Sequence, residues 1–328
     1  MSVGTKRGIP IAIAVLLACA PLVYAGEDMV GELFSDGSGT LITPELSFGD
    51  AGMEPEQREV ALYFRMRGED MLVRETRSIA FSLDTPEEQL LITRLIEGPG
   101  PNLLELTGLF NPGTRVLPPS AEGSLLIITL SREFLEKPAD VPENWRSMPS
   151  WHAEVLTRRM LALSSIVNTI TEETEYTAVQ LLVQQSAGDN TGRRIERSEI
   201  YLDGSDTVAL GPVARSEGLI LSSHNTANVV LDCWMSKDFD RLYRFVQSKP
   251  TEEEFRQEML LKAGFLTGFT LSHGIVSSDG QKAVFSATLE YTNRNGFQRV
   301  QEFPLHFVWD NNLWKISYAQ LLRLMEAE

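Results

Sequence analysis

Ser165-Ile166-Val167-Asn168-Thr169-Ile170-Thr171-Glu172 is the stretch on which the reading of this 328-residue chain turns. Leu156, Met160, Leu163, Val167 and Ile170 lead through it at alternating steps of four and three, one apolar stripe of an amphipathic helix, so the octet is a helix end. Upstream, Leu95-Ile96-Glu97-Gly98-Pro99 closes another helix. Thr85-Pro86-Glu87-Glu88 opens that one, with Thr85 as cap, Pro86 at the first helical position and Glu88 completing a capping box. Its apolar face is Leu90, Leu91, Leu95 and Ile96. Leu130-Ser131-Arg132-Glu133-Phe134 ends a continuous apolar strand that starts at Leu125. Val60 to Phe64 and Met71 to Arg77 read as a hairpin turning over Gly68-Glu69-Asp70, and Val179 to Val183 as a closing strand. The order strand, strand, helix, strand, helix, strand points to a small sheet with two helices on one face, an α+β sandwich. Ile195 to Leu202 is expected to add another strand to it.

Those three segments, in that order and spacing, resemble the GerM domain, a small extracytoplasmic module of sporulation and germination lipoproteins. The resemblance covers about residues 59–185. It implies a non-enzymatic interaction module on the outer face of the cell membrane, similar to the ring-building modules of secretion machines that pack side by side. The implied partners are envelope or sporulation-complex proteins, with homo- or hetero-oligomers formed through this domain. All three segments are structural punctuation, and Asn168 is placed to tie its helix to a neighbouring loop through the side-chain amide. The chain departs from the family's tandem arrangement, because its second half reads differently.

That half starts with helices. Asn225 to Gln247 carries Val229, Val230, Trp234, Phe239, Leu242, Tyr243 and Val246. Thr251-Glu252-Glu253-Glu254 is a capping box that opens a helix bearing Phe255, Met259, Leu260 and Phe265. Three strands follow. Ala283, Phe285, Ala287, Leu289 and Tyr291 alternate along the first; Phe303, Leu305, Phe307 and Trp309 along the second; Trp314, Ile316 and Tyr318 along the third. Asn293-Arg294-Asn295-Gly296 and Asp310-Asn311-Asn312 are the turns. Helices followed by a curved antiparallel sheet resemble the cone fold of the nuclear-transport-factor-like superfamily. Such folds often hold a pocket, which Tyr291, Phe307 and Trp309 would line; the alternative is plain core.

The fold class is therefore α+β in two small domains. The expected organisation is a signal peptide at 1–18, an acidic tether at 19–57, the GerM-like domain at 58–205, a linker at 206–218 and the cone domain at 219–328. Lys6 and Arg7 followed by the apolar Ile9 to Ala18 run form an export signal too short to span a bilayer. Leu16-Leu17-Ala18-Cys19 reads as a lipobox, with Cys19 diacylated and holding the chain to the membrane. Val23-Tyr24-Ala25 offers a competing cleavage site that releases a chain starting at Gly26. Residues 20–57 hold eight Asp or Glu and no Lys, Arg or His, the composition of a solvated tether.

The formal charge of −16 argues against binding nucleic acid through charge. No cofactor or metal is expected. His152, His224, His273 and His306 share no short metal-binding spacing, and neither a Gly-x-Ser-x-Gly elbow nor a phosphate loop is present. His306 is expected to point to solvent. A hydrolase pocket using His273 or His306 is the remaining enzymatic reading. Cys233, in an apolar stretch, reads as a buried structural thiol. The insert at 136–153 carries Trp145 and Trp151 between prolines, either as a docking surface or as a cover for the core. Glu172 and Glu173 are either a solvated helix end or an acidic contact patch.

Overall fold

A long hairpin opens the described chain. Strands β1 (Glu56–Met66) and β2 (Leu72–Phe81) pair antiparallel from Glu56 opposite Phe81 to Arg65 opposite Leu72. The turn lies where the sequence placed it, with Gly68 at φ 74°, a conformation that costs a residue without Cβ little. The computed structural model describes residues 56–82, 84–188, 191–202, 207–293 and 296–326. The expected signal peptide, Cys19, the cleavage point before Gly26 and residues 19–55 of the tether lie outside them.

Helix α1 (Glu87–Glu97) packs on β1 and ends at Gly98, as read. Its start differs. Pro86 is itself the cap, with ψ 137° and no side-chain hydrogen bond, so the helix begins one residue later than expected and Thr85 caps nothing. Glu87 instead pairs with Arg58. The buried face is Leu91, Ile92 and Leu95, with Leu90 and Ile96 only half-buried. Strand β3 (Leu106–Thr107) joins β1 on the edge opposite β2.

The remaining strands of the first half form a second sheet, where the sequence suggested one. β4 (Ser120–Glu122), β5 (Leu125–Leu130), β6 (Ala178–Gln184) and β7 (Gly192–Arg194) lie in that order. β5 and β6 are parallel, and α2 (Pro149–Glu173) is the crossover between them, so this sheet is mixed. α2 packs on both sheets, and every residue from Leu161 to Ile170 is buried. A single apolar stripe is thus too narrow a description of its last turns. The second buried side is built from Ser164, Ser165, Asn168 and Thr169, whose polarity hid it from a hydropathy reading. Ser165, for one, donates its hydroxyl to the Tyr63 carbonyl. The strand expected over 195–202 is β7, three residues earlier, because Glu196 and Glu199 form a reciprocal capping box that turns 197–199 into a short 3-10 helix.

The second half begins with α3 (Ser223–Ser236) and α4 (Phe239–Arg244), not one continuous helix. Lys237 breaks them apart at φ 58°, and the Asp238 side chain caps α4 by accepting from the Arg241 amide at 3.1 Å. β9 (Val246–Gln247) and α5 (Glu252–Lys262) follow, the latter with the Thr251/Glu254 capping box the sequence announced. Leu260 and Phe265, assigned to its apolar face, are both 62 % exposed. Phe265 opens strand β10 (Phe265–Leu271), which the sequence reading missed. β11 (Ile275–Val276), β12 (Lys282–Asn293), β13 (Gly296–Asp310) and β14 (Leu313–Ser317) complete a six-stranded sheet of order β10-β12-β13-β14-β9, with β11 also on β12. The inner row Ala283, Phe285, Ala287, Leu289 and Tyr291 is buried as expected. Asn311 and Asn312, at φ 51° and 62°, make the second hairpin turn. Helix α6 (Tyr318–Glu326) was not foreseen, and Tyr318 belongs to it rather than to the last strand.

The hydrophobic core is continuous from β1 to α6, so the halves are packed together. Residues 207–218, read as linker, are built into the fold: β8 (Val213–Ala214) pairs with β6. Leu221 donates its amide to the Leu72 carbonyl at 2.8 Å. Glu69, at the tip of the first hairpin and 3 % exposed, accepts from Arg241 Nε at 2.8 Å and Nη2 at 2.6 Å. A buried carboxylate in a two-point guanidinium clamp fixes both orientation and distance. Glu69→Ala is expected to cost about 2–3 kcal/mol by urea unfolding, with most of the loss shared by Arg241→Ala in a double-mutant cycle.

Candidate functional site

The C-terminal turn of α2 and the outer end of the last hairpin face each other across an open cleft of about 600 Å³. One wall is Tyr63 and Arg74, which are cross-strand partners in the first hairpin, with Glu172 from α2 and Arg215 from the segment after β8. The other wall is Trp309 and Trp314, cross-strand partners in β13 and β14 whose rings meet edge to face at 5.4 Å. The Asp279-Gly280-Gln281 loop closes one end.

Glu172 is the hub. It accepts from Tyr63 Oη and from Arg74 Nε at 2.9 Å, and lies 3.0 Å from Arg215 Nη1. Arg215 also donates from Nη2 to Tyr63 Oη at 3.0 Å and from Nη1 to the Asn168 carbonyl at 3.1 Å. Burial alone would raise the Glu172 pKa, but the hydrogen bonds from Tyr63 and Arg74 and the two guanidinium charges hold it below its ordinary 4.5. Burial, reinforced by the carboxylate it serves, pushes the Tyr63 phenol well above its ordinary range. Beneath this network Asn168 accepts the Ser216 amide on Oδ1 at 3.1 Å and donates Nδ2 to the Ser216 carbonyl at 3.4 Å. This is the helix-to-loop tie read from the sequence. The charges on the cleft wall are mostly paired, so what the cleft offers a ligand is indole surface and hydrogen-bonding groups.

Of the residues singled out from the sequence, Glu172 lines this cleft, whereas Glu173 lines another beside Arg58 and Glu87, so the two do not form one acidic patch. Glu173 accepts the Ala61 amide at 2.7 Å, and its side chain is 12 % exposed. Trp145 and Trp151 sit near the other end of α2, about 30 Å away at 1.5 Å per residue, so the four do not share one surface. Trp145 is buried with Val141 and Val155 beneath half-buried Trp151, which favours the core-cover reading of the insert. Arg159 lies beside it, stacked over the Trp145 ring at 5.8 Å and bonded to the carbonyls of Leu135 and Glu199. Burial brings the Arg159 pKa down to about 10. Tyr291 and Phe307 are fully buried core; only Trp309 of the expected pocket trio reaches the cleft. Cys233 is buried, and burial pushes its thiol up to about 12. His306 is exposed on the outer sheet face, as read. His152 stacks on Trp145 and His224 lies tilted against Phe285, each at 5.7 Å. Among the described residues no three His, Cys, Asp or Glu are grouped to hold a metal ion.

Tyr63, Arg74 and Arg215 were missed. The hairpin turn read from the sequence carried the signal for two of them, since a turn over Gly68-Glu69-Asp70 sets Tyr63 opposite Arg74. Nothing local marked Arg215.

The sign of the Glu172 effect follows from its lowered pKa. Its contribution is present above the ordinary value of 4.5 and is lost as pH falls through the lower folded value. Glu172→Gln is therefore expected to lose about 2 kcal/mol at neutral pH and to show a shallower further loss toward about pH 3 than the parent, read by chemical denaturation across that range.

Residues 61–188 match the family model Germane, described as sporulation and spore germination. Among solved structures, the tandem GerMN domains of the sporulation protein GerM from Bacillus subtilis are 14 % identical, covering 50 % of this chain and 48 % of that one, with a TM-score of 0.33. A candidate lipoprotein from Clostridium perfringens is 21 % identical over 48 % of this chain and 87 % of its own, with a TM-score of 0.26. The first GerMN domain of the Bacillus subtilis protein is 15 % identical over 40 % of this chain and 84 % of its own, also at 0.26. The chain thus spans about half the length of the tandem structure. A comparison with curated proteins gives no match. The family match ends at residue 188, and the nuclear-transport-factor-like likeness of the second half rests on layout alone. Residues 61–188, less than half of the chain, thus match a GerM-type sporulation and germination domain.

Proposed function

We propose that this chain is a non-enzymatic extracytoplasmic scaffold, held to the outer face of the cell membrane through Cys19, that serves spore formation or germination through its GerM-type domain. The match of residues 61–188 to the sporulation and germination family carries the reading. The three sequence segments behind the resemblance support it, because each ends an element of that domain: α1 at Glu97, β5 at Leu130 and α2 at Glu173. No helix among the described residues is long and apolar enough to cross a membrane, so in this reading attachment falls to the N-terminal segment.

The first test is the mature N-terminus and its location, with Cys19 intact and as Cys19→Ala. Diacylated Cys19 in the membrane fraction, lost to the medium in the variant, is the expected outcome; a soluble chain starting at Gly26 sinks the anchor. Crosslinking at the membrane should then capture envelope or sporulation-complex proteins, and deletion should lower the yield of heat-resistant or germinating spores. If neither happens, the scaffold reading fails.

The cleft favours a second reading, a small-molecule or peptide binder. Its two indoles and paired charges suit a neutral polar ligand. A ligand that acts there should raise the Tm of the whole chain, and Trp309→Ala should abolish the rise.

A further inference from the structure

A sheet edge offers unpaired backbone N–H and C=O groups to any strand that fits, and folded proteins keep such edges short, charged or covered. Most edges here obey that. β3, β8 and β9 have two residues each. β4 has three and ends in Glu122; β7 has three and carries Arg193 and Arg194. β2 is long, but Arg74, Glu75 and Arg77 lie along it and Leu221 bonds to its first residue.

The edge formed by β10 and β11 is the exception. Both pair with β12 alone and have no second strand neighbour among the described residues. Residues 263–278 contain no Asp, Glu, Lys, Arg or Pro, in a chain of formal charge −16. The next longest charge-free stretches among the described residues, 218–231 and 176–188, cover much of buried α3 and β6, where absence of charge is what burial demands. The β10–β11 edge is instead exposed, with Phe265 at 62 %, Ile275 at 77 % and Val276 at 47 %.

Its register is also symmetric. Phe265, Thr270 and Ile275 lie opposite Thr292, Thr288 and Val284 of β12. Each interval is five residues on the edge strand against four on β12, so each holds one extra residue, and all three side chains project from the same face. A two-fold axis through Thr270, normal to the sheet, maps Phe265 onto the position of Ile275. Two antiparallel edges related by it would set the two most exposed apolar side chains of this rim against each other. Two chains this acidic repel over most of their surface; this rim has no acidic residue of its own, and Lys237 Nζ lies 3.5 Å from the Phe265 ring centroid, so two copies can approach here without acidic charges of the edge meeting.

We propose that the β10–β11 edge is a self-association surface, joining two copies antiparallel about Thr270 into one continuous sheet. This edge lies in the second half of the chain, outside the GerM-type domain. The pairing is isologous, so it closes at two copies.

The full chain carrying Cys19→Ala keeps Cys233 as its one native thiol, and that is buried. In this background Thr270→Cys, which places a thiol on the axis, is expected to form a reducible dimer under mild oxidation. Leu104→Cys, also exposed but in the first half of the chain, should form no such disulfide-linked dimer. By sedimentation, the background chain should show a concentration-dependent monomer–dimer equilibrium. Thr270→Lys, which sets two like charges across the axis, should weaken it at least about tenfold with an unchanged circular dichroism spectrum. A background chain that stays monomeric at about 100 μM, a crosslink no faster at Thr270→Cys than at Leu104→Cys, or a dimer untouched by Thr270→Lys overturns the proposal.

Discussion

Everything in this molecule meets at the last two turns of α2. Up to Ile170 this helix is buried on all sides and cannot discharge its polar groups into water, so most find a partner in the layers around it, the Thr169 hydroxyl being an exception. Ser165 reaches β1, Asn168 reaches the segment after β8, Glu172 takes Tyr63, Arg74 and Arg215, and Glu173 takes the Ala61 amide. These bonds fix the position of the first hairpin, the mixed sheet and the connection to the second half relative to one helix. A carboxylate with three donors is costly to leave half-satisfied, which makes the arrangement all-or-none.

That same constraint explains what was legible beforehand. Punctuation was readable, because it is local: the stops at Gly98 and Glu173, the Thr251 capping box, the Asn311-Asn312 turn and the alternation from Ala283 to Tyr291 all depend on a few neighbouring residues. Asn168 was readable because an amide between Val167 and Ile170 has no business in an apolar helix unless it bonds something. The second buried side of α2 was not, because Ser, Thr and Asn look the same on paper whether they face water or a tight second layer. Strand β10 was lost for a related reason. Phe265 continued the apolar spacing of α5, and only the tertiary position of β12 decides that the chain extends there instead.

The site was less legible than the fold. Its charged residues come from β1, β2, α2 and the segment after β8, and its indoles from β13 and β14, so no window of sequence contains it. Of the Trp residues that stood out on paper, in the insert, Trp145 is covered and Trp151 half-buried, while Trp309, at the end of an ordinary hairpin, is left beside open space with the largely buried Trp314 against it. Prominence in sequence marked bulk that needed burying; the cleft arose where two halves failed to close on each other.

The long reach of the buried pairs bears on how the chain is made. Glu69 and Tyr63 belong to the first hairpin, yet their arginine partners follow 172 and 152 residues later. A nascent chain emerging N-terminus first would present a hairpin whose carboxylate and phenol have no partners until most of the polypeptide is out. The first half therefore has little incentive to settle early, and the native arrangement is reached late and together. In the proposed reading of an exported chain, that delay is useful: a segment that has not committed to its fold can still be threaded.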